Sequence, residues 1–382
     1  MRISLVAGVL LKHDAISSSI KIKARALREI CDLLQTPLAL RIYVLQADAN
    51  MSDLVKVVSS TNDIILDDHF LSSDLIFYDF GIYSSLFDSI RLAPASAAKI
   101  VHYHNITPPE LVPECDRNVI KKSFEQLSNI FEADLVLTEG RFNRKCLIDI
   151  GVAEEKIDCL NLVVNLQKTS SLGSEAGGVG IVEALYVGRF VPSKGLFDLL
   201  KALKQVLGQG TKNIHLNLVG NVRLSNEKYM REIKNYINKH GLKKNADFVG
   251  EVGQDELHCY YEHAHLFVIP SYHEGFCLPV IEALSHGCYV ITYDAGNLPY
   301  IVNGFGNVVE TGDTNSLSNK IADYVNTKAN GKAAKEIMLN ADMGLVNEAS
   351  FKSRAMEYCQ EFTYGKFRER FFEILRERNL IS

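Results

Sequence analysis

The chain has 382 residues, long for one core and comfortable for two domains. A hydrophobic content of 47% and a charged content of 23% suit a globular protein, and a net charge of −5 argues against nucleic acid as a partner. No apolar run reaches the ~20 residues that a membrane-spanning helix needs.

The opening stretch, Met1 to Leu11, is apolar like a secretion signal. It is short, lacks a small-residue cleavage site and runs into Lys12, His13 and Asp14, so it reads as a first buried strand. The first half then alternates β-like runs with helical patterns. Its candidate strands are Ile3–Val6, Leu40–Leu45, Leu75–Tyr78, Ile100–Tyr103 and Leu135–Thr138. A helix carrying Lys21, Lys23, Arg25 and Arg28 follows the first strand, and another spans about 118–131.

Residues 166–180 are mostly small and polar and cannot hold a core, so they form the expected linker. Beyond it the alternation sharpens: Ala184–Val187, His215–Val219, Asp247–Val249, Leu266–Ile269 and Tyr289–Tyr293, with Gly188, Gly220 and Gly250 closing three of the strands. The leucines at 196, 199, 200, 203 and 207 mark an amphipathic helix. This pattern predicts an α/β protein of two Rossmann-like domains, residues 1–165 and 181–362, facing across a cleft. Residues 363–382 form a last helix with Phe367, Phe371, Ile374 and Leu375 on one face, expected to cross back onto the first domain.

The eight cysteines, at 31, 115, 146, 159, 259, 277, 288 and 359, show no Cys-x-x-Cys spacing. They read as small apolar residues of a reducing, cytoplasmic compartment. The pairs His102/His104 and His263/His265 lack a nearby third ligand, and His102 is expected on the strand face opposite His104. Asp67, Asp68 and His69 precede a strand with the wrong spacing for a metal motif, so no metal is expected.

Chemistry concentrates in the stretch from Ser271 to Glu282. It follows the apolar strand 266–269 and enters a helix through Pro279, with Gly287 as the stop. Glu274 falls in the strand-to-helix loop and Glu282 on the first helical turn. Free amides at such a turn favour an anion, which leaves the two carboxylates to accept from neutral hydroxyls. Phosphate beside hydroxyls suggests a nucleotide-sugar. After the strand ending at Val187, Arg189 and Lys194 lie across another strand-to-helix turn and suit a diphosphate.

These residues resemble the GT-B-fold retaining glycosyltransferases of family four. The resemblance runs through Gly188-Arg-Phe, Ser193-Lys-Gly, Leu218-Val-Gly220, Phe248-Val-Gly250, Pro270-Ser, Glu274-Gly-Phe, Pro279, Glu282-Ala and Gly312-Asp313. The segment His104-Asn-Ile-Thr-Pro108 extends it into the first domain and is similar to bacterial mannosyltransferases; Phe142, Asn143, Leu147 and Gly151 add a weaker match. Residues 1–98 share only the pattern. The resemblance implies that Arg189 and Lys194 bind the donor diphosphate. Glu282 would take the ribose hydroxyls, and Glu274 the hydroxyls of the transferred sugar. The amides of Gly275, Phe276, Cys277 and Leu278 would contact sugar and phosphate, Gly250 and Val252 would flank the base, and His104 would contact the donor sugar. Catalysis is thereby assigned to His104, Glu274, Arg189 and Lys194, with a GDP- or UDP-sugar as donor and no cofactor or metal.

The chain departs from that family in places. Lys12 to Ser17 replace a glycine-rich loop, leaving Asp14 to serve an acceptor; Asp79 and Thr138-Glu139 stand at other divergent positions. Cys277 stands where many relatives have glycine and is expected to keep a normal dihedral. The acceptor implied is a glycan or a lipid-linked glycan of surface polysaccharide synthesis. Lys21, Lys23, Arg25, Arg28, Lys121 and Lys122 could hold an anionic membrane face, placing the protein at the inner face of the membrane. Nucleotide-sugar epimerisation and a degenerate, non-catalytic binding module are the competing readings.

Overall fold

The computed structural model describes residues 1–12, 14–48, 53–166, 180–220, 227–329, 337–338 and 345–381. Most of the expected linker, residues 167–179, lies outside the described residues, as does His13. Chain contacts divide the molecule into two units: 1–163 with 362–382, and 164–361.

The first unit holds a seven-stranded sheet: β1 (Arg2–Val6), β2 (Ala39–Val44), β3 (Val55–Val57), β4 (Leu75–Phe80), β5 (Ala98–Tyr103), β6 (Leu135–Thr138) and β7 (Ile157–Cys159). Its spatial order is β3-β2-β1-β4-β5-β6-β7, parallel at every pairing. The order reverses between β1 and β4, which makes that the topological switch point. Both faces are covered, so the central strands are mostly apolar; all six positions of β4, Asp79 among them, are buried.

One face carries the helix Ala15–Leu33, started by Asp14, whose carboxylate accepts from the Ser17 amide at 2.8 Å. The residue proposed for an acceptor is thus engaged as a helix cap. The last helix, Tyr364–Glu377, packs on the same core: Phe367, Phe371, Ile374 and Leu375 join Ile3, Leu5 and Phe77 in one cluster. Each such side chain stabilises by about 2 kcal/mol on burial. The predicted helix over 118–131 is an α-helix over Arg117–Glu125 that tightens into 3-10 turns over Gln126–Glu132.

The second unit holds a six-stranded sheet: β8 (Val182–Val187), β9 (Ile214–Val219), β10 (Ala246–Gly250), β11 (Leu266–Ile269), β12 (Tyr289–Tyr293) and β13 (Gly306–Val309). They run parallel in the order β10-β9-β8-β11-β12-β13. The winding repeats that of the first unit, with its switch point between β8 and β11. Leu196, Leu199, Leu200 and Leu203 of the helix Leu196–Gly208 are buried, as the leucine spacing required. The short strands β3, β7 and β13 have no strong sequence signal; Val-Lys-Val, Ile-Asp-Cys and Gly-Asn-Val-Val pair because neighbours offer a free edge.

Candidate functional site

The switch point of the second sheet gathers most of the predicted residues. Leaving β8, the chain passes Gly188 and the exposed Arg189, makes a 3-10 turn over Pro192–Lys194 and enters the helix at Gly195. Gly195 sits at φ +67°, and a Cβ there would come within 1.8 Å of the Pro270 carbonyl oxygen, so only glycine fits. That close approach seats the β8 loop against the β11 loop. The Tyr272 amide also donates to the Ser193 carbonyl at 2.8 Å.

Lys194 Nζ donates to both oxygens of Glu274 at 2.7 Å, and Ser271 Oγ donates to Glu274 Oε1 at 2.7 Å. The two residues assigned to different parts of a ligand therefore hold each other, because their loops meet across the switch point. The backbone of Glu274 is gripped as well. Its carbonyl accepts from the Asn297 amide at 2.9 Å, and Gly296, at φ +62°, lies so close that a Cβ would sit 2.2 Å from that oxygen. The Arg189 carbonyl accepts from Tyr186 Oη at 3.1 Å, but its side chain makes no hydrogen bond or ion pair among the described residues, and the residue is exposed.

Glu282 lies on the helix Leu278–Ser285, one residue beyond the first turn on which the sequence placed it. It accepts from Tyr261 Oη at 2.7 Å. Burial raises its pKa, and the Tyr261 bond opposes that rise. Gly275, Phe276, Cys277 and Leu278 form the turn into this helix, whose first amides have no intrahelical acceptor. Cys277 corrects the expectation of a normal dihedral: it adopts φ +85°, ψ +71°. The turn needs a left-handed residue before Leu278, and the tight loop imposes it on a cysteine at about 1–2 kcal/mol. Burial, then the neighbouring Glu274 carboxylate, pushes the thiol pKa well above its ordinary value. Gly250, at φ +88°, ends β10, and Val252 follows half-buried; both lie at the carboxyl end of the edge strand. Asp313, beside Gly312, caps the helix Thr314–Ala329 by accepting from the Asn315 and Ser316 amides at 3.0 Å.

In the first unit the structure brings together residues that the sequence reading kept apart. His102 is not on the face opposite His104. A period of two places residues 102 and 104 on one side, and their rings are 4.3 Å apart. Both nitrogens of His104 are engaged, Nε2 with Asp79 Oδ1 at 2.7 Å and Nδ1 with Glu139. The side chain is 6% exposed, so in this conformation His104 is a clamp between carboxylates rather than an open sugar ligand. Burial lowers its pKa, but Glu139 and Asp79 outweigh that and hold it at about 9.

Lys23 corrects another expectation. It is fully buried, pairs with Asp79 and donates to His102 Nδ1 at 2.9 Å, so it cannot belong to a membrane-facing basic patch. Lys21 donates to the Leu11 carbonyl, while Arg25, Arg28, Lys121 and Lys122 are exposed. Asp79, His102 and His104 are close enough to hold an ion, but the Lys23 ammonium already bonds two of them, so this donor set fits a cation of its own chain. His263 turns to the Cys259 carbonyl and His265 accepts from the Glu183 amide. Asp67 caps a short helix and pairs with Arg41 and Lys56. Two signals for the buried group stand in the sequence. Lys23 falls on the apolar stripe of Ile20, Ala24 and Leu27, and the His-x-His run lies on a strand beside Asp79.

Two parallel doubly wound sheets with a closing C-terminal helix define the GT-B fold of glycosyltransferases. Residues 181–341, within the second unit, match the model of the family of glycosyl transferases group 1. The chain is similar to O-antigen chain mannosyltransferase B of Escherichia coli, 26% identical over 232 residues. That match takes in 57% of this chain and 59% of the relative, so the chain spans about three fifths of the relative's length. Among solved structures it is similar to sucrose-phosphate synthase of Thermosynechococcus elongatus (TM-score 0.71, 18% identity, 100% of both chains). Anabaena Alr3699/HepE, solved in complex with UDP, superposes with a TM-score of 0.68 at 18% identity, over 99% of this chain and 100% of that one. Among the described residues no helix is long and apolar enough to cross a membrane.

Proposed function

We propose that the protein is a hexosyltransferase. It moves a sugar, mannose first among the candidates, from a nucleoside-diphosphate donor to a glycan or lipid-linked acceptor in surface polysaccharide synthesis. The observation that carries this reading is the pairing of Lys194 with Glu274 at the second switch point, beside the exposed Arg189. An ammonium has three N–H groups and a carboxylate about four acceptor sites, so each partner keeps capacity for a ligand. Lys194 and Arg189 would meet the diphosphate; Glu274 would accept from sugar hydroxyls and Glu282 from the ribose.

Charge grows on the departing diphosphate in the transition state. Fixed cations and the backbone amides of the turn from Gly275 to Leu278 stabilise it, each such donor contributing about 3 kcal/mol. The sugar carbon becomes oxocarbenium-like. Glu274 is assigned to hydroxyl binding rather than to nucleophilic attack; the acceptor attacks from the side the diphosphate leaves, a donor phosphate oxygen takes its proton, and configuration is retained. The two cations supply the charge a metal would otherwise bring, and activity in a chelator should equal activity without one.

The O-antigen mannosyltransferase among its relatives supports GDP-mannose, and the UDP-bound neighbour makes UDP-sugars the second choice. Arg25, Arg28, Lys121 and Lys122 are the residues left to meet an anionic membrane surface at the cytoplasmic side. A thermal-shift screen of GDP- and UDP-sugars tests the donor, since a bound ligand raises stability by mass action. Stabilisation by none of them rejects the reading, and isomerisation of a donor without acceptor points to an epimerase instead. An inverted anomer in the first-formed product, read by NMR, rejects retention.

A further inference from the structure

With the lysine and the carboxylates in their ordinary charged forms, the geometry of the buried group under the first sheet's switch point assigns its protons. An ammonium only donates, so His102 Nδ1, 2.9 Å from Lys23 Nζ, accepts, and that ring carries its hydrogen on Nε2. Ionised carboxylates only accept, so both nitrogens of His104 donate, to Asp79 and to Glu139, and that ring is an imidazolium. Two cations, Lys23 and His104, thus face two carboxylates, Asp79 and Glu139, beside a neutral His102. These groups come from four elements: the helix Ala15–Leu33, β4, β5 and the turn after β6.

The hydrogen bonds continue into a loop. Asn143 Nδ2 donates to Glu139 Oε2 at 2.8 Å, and Asn105 Nδ2 donates to Asn143 Oδ1 at 2.6 Å. Asn105 is held at φ +67°, and Gly81 lets the loop approach so closely that a Cβ there would lie 3.0 Å from the Cβ of His104. The arrangement is poorly suited to stability alone. Asp79 Oδ2, His102 Nε2 and Thr138 Oγ1 are buried with no hydrogen-bond partner among the described residues, and buried ion pairs often stabilise less than apolar side chains of the same volume. Its site is the carboxyl edge of a parallel sheet at the switch point, where ligands bind.

We propose that Lys23, Asp79 and Glu139 are positioning residues which, through His104 and Asn105, fix the loop from His104 to Pro108 in one conformation for receiving the acceptor sugar. This rests on reading the first unit as the acceptor domain of a glycosyltransferase.

The test compares Asp79→Asn and Asn105→Gly with the wild type; the second keeps the fold because glycine takes a positive φ freely. Nitrogen-15 spectra of the histidines should show His104 protonated on both nitrogens at pH 7.5 in the wild type, and titrating at lower pH in Asp79→Asn. Amide exchange across residues 104–108 should quicken about tenfold in both variants. With GDP-mannose and octyl mannoside, kcat/KM for the mannoside should fall about tenfold or more, through KM in Asn105→Gly. Its alkaline limb should move to lower pH in Asp79→Asn, while the Kd for GDP stays within about twofold. A singly protonated His104 in the wild type, or unchanged exchange in both variants, overturns the proposal. So does unchanged kcat/KM with a loosened loop. Failure of the wild type to bind any nucleotide-sugar would instead defeat the parent reading, and the spectra and exchange would still decide the clamp.

Discussion

The two sheets share one winding order and both gather charge at the carboxyl edge of their switch points, yet they treat it oppositely. In the first unit Lys23, Asp79 and His102 have side chains with 0% exposure, and every charge is met by another from the same chain. In the second unit Lys194 and Glu274 are 17% and 9% exposed, and Arg189 stands in solvent. Topology chooses where charge collects; burial chooses whether it holds the chain or waits for a ligand. A sealed network spends its donors internally, whereas an open pair keeps them for an incoming anion.

The contrast breaks most visibly in stability. Lys23→Met leaves Asp79 buried beside His104 without its ammonium and should cost about 3–5 kcal/mol in urea unfolding, whereas Lys194→Met, at a partly solvated pair, should cost about 1 kcal/mol. Equal losses would mean the two clusters do not differ in kind.

Activity should invert that order. Arg189→Ala or Lys194→Ala should each lower kcat/KM for the donor by about 100-fold, near 3 kcal/mol, with the fold intact by circular dichroism. Undiminished turnover would remove the anion site from the second switch point.

A pH series separates the clusters again. His104, held near 9 against an ordinary 6.5, contributes stability that is fully present below pH 6.5 and lost as pH rises through 9, roughly 3 kcal/mol in all. The Asp79 carboxyl is depressed: burial would raise it, but Lys23 and His104 outweigh that, so its contribution is present above pH 3.8 and fades as acid protonates it. Chemical denaturation from pH 6 to 10 should show the alkaline loss, and His104→Gln should abolish its slope.

Glu282 has the same sign as His104 and the opposite of Asp79, since burial raises its pKa and its ionisation opposes folding as pH rises through that value. Glu282→Gln should therefore gain about 0.5–1 kcal/mol at pH 7 while weakening nucleotide binding. The smallest effect belongs to Cys277→Gly. Relief of about 1–2 kcal/mol of left-handed strain is offset by lost thiol burial and a freer unfolded chain, leaving melting changed by less than about 1 kcal/mol. A larger loss would show that the thiol itself supports Glu274.

Much of the second unit was legible because its markers are local. Gly188, Gly220 and Gly250 close strands, Pro279 enters a helix, and Arg189, Lys194, Glu274 and Glu282 follow strand ends where ligand loops must lie. The reading failed where the answer depended on partners far along the chain. Lys23 looked like one of several surface cations, and only the approach of Asp79, 56 residues away, makes it a core residue. Cys277 was read by its preferred dihedral, but the closure of the loop by Gly296 and Ser271 overrides that preference.

By itself the sequence determined the alternation of strands and helices, the pairing of two wound sheets, and the helix that closes the first, since apolar period and turn chemistry are carried by neighbours a few residues apart. Tertiary structure alone decided which charges are sealed and which stay open, and which residues accept strain. Those outcomes follow from the dielectric and the contacts that distant segments impose on one another.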